Sequence, residues 1–313
     1  MFVKTKIIDY NRSDMDDAIT FALEGRKTFF IATEPSLLPE SYLEDYLTRG
    51  YETYIIADDR NCPLVKKVES IINIFEDSIL FFYIDAEIIG LNWKQYIKQL
   101  QERFGDQILI GVLYSKRHND DERRRIEKYY LFDVGIQGGC ISLEFQKAKN
   151  FALIDKVMFA NQASGRRKNV RAICDNNSKV TFVYNSIEFT ATLSDISLTH
   201  FSCTIPGESY IPLYEKIKNV FVDINGLHFK TDAILLLQRV IKNKMLYVFI
   251  FSRHDGSQGL DGDLKHRLSE KIYQMVTDKV KMILQLIFDE VGRGDRDPKG
   301  HTTFQPEDLV RLL

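Results

Sequence analysis

The sequence predicts an α/β doubly wound parallel-sheet N-terminal domain, followed by an all-β small antiparallel barrel with a long C-terminal helix. Up to about residue 163, short apolar runs alternate with helical patterns. From Ser164 to about Ser252, the apolar runs are short, often alternating, and separated by turn residues. We therefore expect an α/β domain over 1–163, a barrel with its helix over 164–291, and a tail over 292–313.

Five apolar runs of the first domain are predicted strands. They are apolar at consecutive positions, which is typical of parallel strands covered on both faces. These strands are Val3–Ile8, Thr28–Thr33, Thr53–Ala57, Ile79–Ile84 and Ile108–Tyr114. Helical patterns fill the gaps, one beginning at Ser13 and others covering about 39–48, 63–75, 92–104 and 119–131. A further strand over Val134–Phe145 and a helix near 147–162 lead out of the domain.

Turn signals divide the second half into six or seven strands within about ninety residues, which indicates a small antiparallel barrel. Asn225-Gly226, between two apolar runs, predicts a tight hairpin. Apolar residues at three- and four-residue steps then predict an amphipathic helix over about 261–290. Apolar residues also lie outside the main apolar stripe of this helix, and two interpretations remain open. The helix packs only on its own barrel, or it also pairs with the helix of a second copy in a homodimer.

Composition narrows the function classes. The chain has 313 residues and a formal net charge of −2, so it is not a general binder of nucleic acid polymers. Its four cysteines are far apart and form no metal-ligand pair, and no histidine cluster suggests a metal site. We expect a cytoplasmic protein without signal peptide or membrane insertion. No catalytic constellation is present, so an enzyme is not expected.

A cationic segment, Gly165-Arg166-Arg167-Lys168-Asn169-Val170-Arg171, stands where the α/β pattern stops. Guanidinium groups suit phosphodiester oxygens and the acceptor edge of guanine, because their planar donors bind in pairs. Arg167 and Arg171, four residues apart, could close around one ligand. The alternative is a solvated basic linker.

A second segment, Leu193–Phe201, ends one predicted strand and starts another. Asp195 and Ser197 would point to the same face of an extended chain, where a carboxylate and a hydroxyl could bind a guanine edge. The alternative is an Asx or Ser turn between strands.

Together, the two segments resemble the PilZ family, in which an arginine motif opens a small barrel and an Asp-x-Ser motif follows. The resemblance covers about 165–290 and implies cyclic di-GMP as ligand, with no cofactor or metal. It places Arg166, Arg167 and Arg171 on the arginine motif and Asp195 and Ser197 on the second motif; Lys168 and His200 complete the expected ligand-binding set. His200 stands where the family has a glycine, so it would either stack on a base or block the site.

The first domain resembles a degenerate receiver-like or flavodoxin-like domain. Asp58 and Asp59 follow the third predicted strand, where a receiver carries its phosphoacceptor, and Lys116 follows the fifth, where a receiver has its lysine. Only Asp9 is present where an acidic pair is needed, and Asp85 replaces a hydroxyl residue. We interpret this domain as a partner-binding module. The other interpretation of Asp58 and Asp85 is strand-end solvation and helix capping.

The resemblances imply a bacterial cyclic di-GMP receptor. Ligand would bind at the interdomain linker and the barrel, change the domain arrangement, and signal to a protein effector, with motility machinery as one candidate. The first alternative is a PilZ-like adaptor that has lost ligand binding and acts by protein–protein contact. The second is a phosphorylation-driven response regulator.

Overall fold

The computed structural model describes residues 25–75, 77–116, 118–164, 169–206, 211–241 and 244–294. Within these ranges the chain divides into two compact units, each assembled from separate stretches. The first comprises 25–37, 55–146 and 279–294, and the second comprises 38–54 and 147–278. The predicted strand Val3–Ile8, the predicted helix start at Ser13 and most of the predicted tail lie outside the described residues.

A five-stranded sheet forms the core of the α/β part. Its strands are β1 (Lys27–Ile31), β2 (Glu52–Ile56), β3 (Ile79–Tyr83), β4 (Leu109–Ser115) and β5 (Cys140–Leu143), in the order β2-β1-β3-β4-β5. β1, β3, β4 and β5 pair in parallel. β1 and β3 are buried at every position, as their unbroken apolar sequences predict.

Helices occupy the predicted intervals between these strands. They are α1 (Ser41–Thr48), α2 (Leu64–Ile74), α3 (Trp93–Phe104), α4 (Asp120–Glu127) and α5 (Lys147–Ala160). The Asn92 side chain accepts a hydrogen bond from the Gln95 backbone N–H and caps α3, as predicted. Gly50, with φ +87°, follows α1 and ends it, because glycine adopts the left-handed conformation without steric cost.

The segment between α4 and β5 differs from its prediction. The chain continues as a π-helix over Lys128–Val134, and the strand predicted over Val134–Phe145 begins only at Cys140. Gly135, with φ +77°, ends the helical segment. Apolar runs of this length do not distinguish helix from strand, so periodicity alone placed the boundary too early.

Seven strands form the antiparallel barrel: β6 (Ala172–Ile173), β7 (Lys179–Tyr184), β8 (Ile187–Ile196), β9 (His200–Thr204), β10 (Lys216–Ile224), β11 (Leu227–Ile241) and β12 (Lys244–Ser252). The order is β6-β8-β7-β10-β11-β12-β9, and an additional β8–β9 pairing closes a six-stranded ring, with β6 added beside β8. The core is apolar and rich in phenylalanine, and the Phe201 ring contacts both Phe249 and Phe251. The predicted fold class is therefore confirmed.

Two tight turns set the register of the barrel hairpins. Asn225 and Gly226 have φ +45° and +86° between paired Ile224 and Leu227, as the hairpin prediction requires. Asn185 and Ser186 adopt the same positive-φ conformation at the β7–β8 turn. Such turns match the right-handed twist of the strands that they join.

A buried carboxylate holds an irregularity in β10. The register of β10 against β11 shifts between Ile217 and Val220, and Asn219 there has φ +57°. Its backbone N–H donates to Asp232 Oδ1 at 3.0 Å. Asp232 Oδ2 lies 3.2 Å from Lys216 Nζ and 3.1 Å from His254 Nδ1. The hydrogen bonds and charges around Asp232 satisfy a carboxylate whose side chain is only 1% exposed.

The last described element is α6 (Gly262–Gly294), which contains the helix predicted over 261–290. Its buried positions recur at three- and four-residue steps, as an amphipathic helix requires: Leu268, Ile272, Val276, Val280, Ile283, Leu284 and Ile287. Met282 is 41% exposed. Pairing of this helix with a second copy stays a prediction.

Candidate ligand-binding site

The pairing of β6 with β8 brings together two residues that are far apart in the chain. Ala172 pairs with Ile196, and Ile173 pairs with Asp195. Arg171 immediately precedes β6, and its Nη1 lies 3.8 Å from Asp195 Oδ1. The Arg171 side chain is 37% exposed and the Asp195 side chain 17% exposed. An arginine and a carboxylate of the predicted ligand set thus share one surface of the barrel.

Asp195 is held in place by the neighbouring strand. β8 and β9 pair Asp195 with Ser202, and Ser202 Oγ donates to Asp195 Oδ2 at 2.6 Å. Oδ1, on the side of Arg171, is separated from the guanidinium by more than a hydrogen-bond distance. The carboxylate is therefore oriented through one oxygen, while the other lies beside the guanidinium. Ser202 was not predicted, because its role depends on the register across the β8–β9 connection.

Ser197 serves the turn between β8 and β9. Its side chain is buried, and its Oγ donates to the His200 carbonyl at 3.1 Å. The same oxygen accepts from the backbone N–H groups of His200 at 3.1 Å and Thr199 at 3.4 Å. The hydroxyl thus satisfies backbone groups of the turn, as the Ser-turn interpretation describes.

His200 lies in a hydrogen-bonded chain that begins in the cationic segment. Asn169 Nδ2 donates to Thr199 Oγ1 at 3.2 Å, and Thr199 Oγ1 lies 2.7 Å from His200 Nδ1. Thr199 Oγ1 accepts a hydrogen bond from Asn169, so its hydroxyl proton is free to donate to His200 Nδ1. This arrangement favours the His200 tautomer that is protonated at Nε2. Asn169 and Thr199 were not predicted as site residues; a signal for Asn169 was its position directly after Lys168.

The electrostatic environment favours a neutral imidazole. Burial first, and then the positive charge of Arg171, lower the pKa of His200 below its ordinary value of 6.5, while Asp195 acts in the opposite direction. Because His200 replaces the glycine of the resembled motif, this position carries a neutral aromatic ring.

Arg166, Arg167 and Lys168 lie outside the described residues. Of the seven predicted ligand-binding residues, the structure thus describes Arg171, Asp195, Ser197 and His200. Their assignment to ligand binding stays a prediction.

The carboxylates of the α/β part have structural partners. Asp58 Oδ1 accepts from the Leu64 backbone N–H at 3.1 Å, at the start of α2. Asp59 Oδ1 accepts from the backbone N–H of Cys62 at 3.0 Å, and its Oδ2 pairs with Lys67. Asp58 thus contacts the first N–H of α2, as the capping interpretation describes, whereas Asp59 binds the turn before α2 and the Lys67 side chain.

Asp85 follows β3, and its partners come from the end of β4 and the segment that follows it. Its Oδ2 accepts from the Ser115 backbone N–H at 2.7 Å, and its Oδ1 lies 2.8 Å from His118 Nε2. Lys116 Nζ lies 2.6 Å from Glu144 Oε1. Among the residues that the structure describes, no three side chains of His, Cys, Asp or Glu are placed to share a metal ion.

Solved PilZ-domain structures are similar to part of the chain. The PilZ domain with c-di-GMP of YcgR from Escherichia coli is 14% identical, with a TM-score of 0.32, over 37% of this chain and 96% of that one. The inhibitor of motility MotI (DgrA) of Bacillus subtilis is 12% identical, with a TM-score of 0.30, over 36% of this chain and 52% of that one. The K. pneumonia MrkH–c-di-GMP complex is 11% identical, with a TM-score of 0.33, over 37% of this chain and 55% of that one.

This chain thus spans about half the length of the MotI and MrkH chains that it matches. No protein-family model matches the sequence, and no curated protein does. Over the described ranges, no helix is both long enough and apolar enough to cross a bilayer.

Proposed function

We propose that the protein is a bacterial receptor for cyclic di-GMP that binds the dinucleotide on the barrel surface at β6 and β8. The observation that carries the proposal is the position of Arg171 beside Asp195, at the end of the cationic segment. A guanidinium and a carboxylate offer the donors and the acceptor that a phosphorylated guanine ligand requires.

The geometry supports a division of roles between the two residues. Asp195 Oδ2 is occupied by Ser202, so Oδ1 is the oxygen available to the N–H edge of a guanine. The separation of 3.8 Å between Asp195 Oδ1 and Arg171 Nη1 leaves the guanidinium donors available for a phosphate or for guanine acceptors. Arg166, Arg167 and Lys168 would add positive charge from the same segment.

His200 would contact the ligand as a neutral ring. Its Nδ1 is engaged by Thr199, and no positive charge on the imidazole competes with Arg171 for the carboxylate. A planar neutral ring can stack on a base, which supports the stacking interpretation of this substitution.

The proposal includes the consequence of binding. The cationic segment lies at the predicted boundary between the domains. Ligand bound to it would therefore change the domain arrangement and present a surface to a protein effector. Motility machinery is one candidate for that effector. Small-angle scattering with and without ligand tests this step: an unchanged scattering profile at saturation contradicts it.

Calorimetric titration with cyclic di-GMP tests the binding step. We expect binding by the wild-type chain and at least about 10-fold weaker binding by Arg171→Ala, since a charge-assisted hydrogen bond contributes about 1.5–3 kcal/mol. The double variant Arg167→Ala/Arg171→Ala should bind still more weakly. Arg239→Ala is the matched control, because Arg239 is an exposed arginine elsewhere on the barrel, on β11.

The alternative adaptor function makes the opposite prediction. Absence of heat and of a thermal shift at tens of micromolar ligand would contradict the receptor and favour an adaptor. If His200→Gly then acquires binding, the histidine ring blocks the site.

A further inference from the structure

A polar and aromatic cavity lies between α1 and α5, within the second unit. It has a volume of about 390 Å³ and is lined by Arg49, Tyr51, Asp155, Lys156 and Phe159. This volume lies within the range of about 300–1,000 Å³ that is usual for small-molecule sites. The cavity contains two cations, one carboxylate and two aromatic rings, and none of them belongs to the barrel site.

One stripe along α5 organises the cavity. Phe151, Asp155 and Phe159 follow one another at four-residue steps and so lie on the same face of the helix. At the first position, the Arg49 guanidinium carbon lies 5.0 Å from the Phe151 ring centroid. At the second, Arg49 Nη1 lies 2.6 Å from Asp155 Oδ2. At the third, the Phe159 side chain is 77% exposed.

The Arg49 side chain is held by its contacts with Phe151 and Asp155. Tyr46 stacks on Phe151 at 4.5 Å between ring centroids, so the ring under the guanidinium is itself held. Gly50 turns the chain after α1, which places Arg49 and Tyr51 on either side of this turn. The Arg49 side chain is still 49% exposed, so part of its donor set faces the solvent side of the cavity.

Asp155 has one oxygen without a partner. Its Oδ1 is buried and makes no hydrogen bond among the described residues, although Oδ2 binds Arg49. Because Oδ1 has almost no accessible surface, Asp155 contributes to the cavity by holding Arg49 through Oδ2. Tyr51, only 6% exposed, is the other polar residue on this side of the cavity.

We propose that this cavity binds a purine nucleotide. Its base would stack on the open Phe159 ring, and its phosphate would lie at Lys156 and the exposed part of Arg49. Stacking on an exposed phenyl ring favours a large planar base, and Lys156 with the exposed part of Arg49 favours an anion. The site goes beyond the proposed receptor function and does not depend on it.

Equilibrium binding of guanosine 5′-monophosphate and adenosine 5′-monophosphate to the full chain tests the proposal, with ribose 5-phosphate as the probe that lacks a base. We expect both nucleotides to bind, and ribose 5-phosphate to bind at least about 10-fold more weakly. Phe159→Ala should weaken nucleotide binding about 10-fold, and Phe159→Trp should retain it because the ring is kept. Lys156→Gln should weaken binding and reduce its salt dependence.

Two controls separate this site from others. Leu153→Ala removes an exposed apolar side chain of the same helix outside the cavity and should leave the affinity unchanged. Arg171→Ala, which tests the barrel site, should also leave it unchanged, so the two proposals can fail separately. The inference is overturned if no nucleotide binds at millimolar concentration, if ribose 5-phosphate binds as tightly as the nucleotides, or if Phe159→Ala binds like the wild type with an unchanged melting temperature.

Discussion

Arg171 and Asp195 lie side by side on the barrel, with 3.8 Å between Nη1 and Oδ1, although their positions are 24 residues apart in the sequence. The pairing of β6 with β8 creates this juxtaposition, and Ser202 fixes the far side of the carboxylate. A guanidinium and an oriented carboxylate on one surface form the centre of the proposed cyclic di-GMP site.

Replacement of Asp195 by alanine should weaken cyclic di-GMP binding at least about 10-fold, because it removes the acceptor for a guanine edge. Because the side chain is only 17% exposed and accepts from the buried Ser202 hydroxyl, the melting temperature of the variant is measured beside its affinity. Glu188→Ala, an exposed carboxylate on the same strand, is the control and should bind normally. Calorimetry measures both, and equal affinities for the two variants would contradict the assigned role of Asp195.

Ser197→Ala should act mainly on stability. The lost hydroxyl satisfies three backbone groups of the β8–β9 turn, so we expect a decrease of about 1 kcal/mol or more in the free energy of unfolding. Ser194→Ala, on β8 itself, should cost less. Urea unfolding gives the two values. A variant with wild-type stability but lost ligand affinity would instead indicate direct contact between Ser197 and the ligand.

His200 should make the chain less stable in mild acid. Its pKa is lowered in the folded state, so the unfolded chain binds more protons as the pH falls through about 6.5. The stability that depends on the neutral ring is therefore present above this pH and lost below it. His200→Gln should lose less stability than the wild type between about pH 7.5 and 5.5.

Urea unfolding at a series of pH values measures this difference, with His266→Gln, a surface histidine, as the control. A wild-type chain that gains stability relative to His200→Gln on acidification would contradict the assignment.

Asp232→Ala should destabilise the barrel by about 3 kcal/mol, because it leaves Lys216 and the Asn219 N–H without their carboxylate. Burial alone would raise the pKa of Asp232, but the hydrogen bonds from Asn219, Lys216 and His254 outweigh it and lower the pKa below 3.8. The associated stability is therefore present above about pH 3.8 and is lost as the pH falls below it.

Thermal unfolding at several pH values tests both statements about Asp232. Asp223→Ala, a more exposed carboxylate on β10, should change stability by less than about 1 kcal/mol. An equal effect of the two substitutions would show that the buried carboxylate has no special role.

Local patterns predicted most of the elements because they depend on neighbours in the chain. Unbroken apolar runs predicted β1 and β3, and Asn225-Gly226 predicted the β10–β11 turn. The strand expected from Val134 begins only at Cys140, because apolar runs of this length do not distinguish a helix from a strand. The domain boundaries, the ligand-binding set and the homodimer stay predictions.

The candidate site was predicted in part. Arg171 and Asp195 were singled out by the chemistry of their side chains and by the motifs of the family that they resemble. Ser202, Asn169 and Thr199 were missed, because each acts through a contact across strands or across about thirty residues of sequence. Such contacts depend on strand register, and a shift of one residue would turn each side chain to the opposite face.

The sequence by itself determined an α/β part, a small barrel and a long helix, because apolar periodicity and turn residues act locally. It also determined which residues have the chemistry to bind a phosphorylated guanine. Only the tertiary structure decided that Arg171 meets Asp195, that the Ser197 hydroxyl is used within its turn, and that Phe159 remains open beside Asp155. These relationships arise when distant segments pair and pack, and no local pattern specifies the register at which they do so.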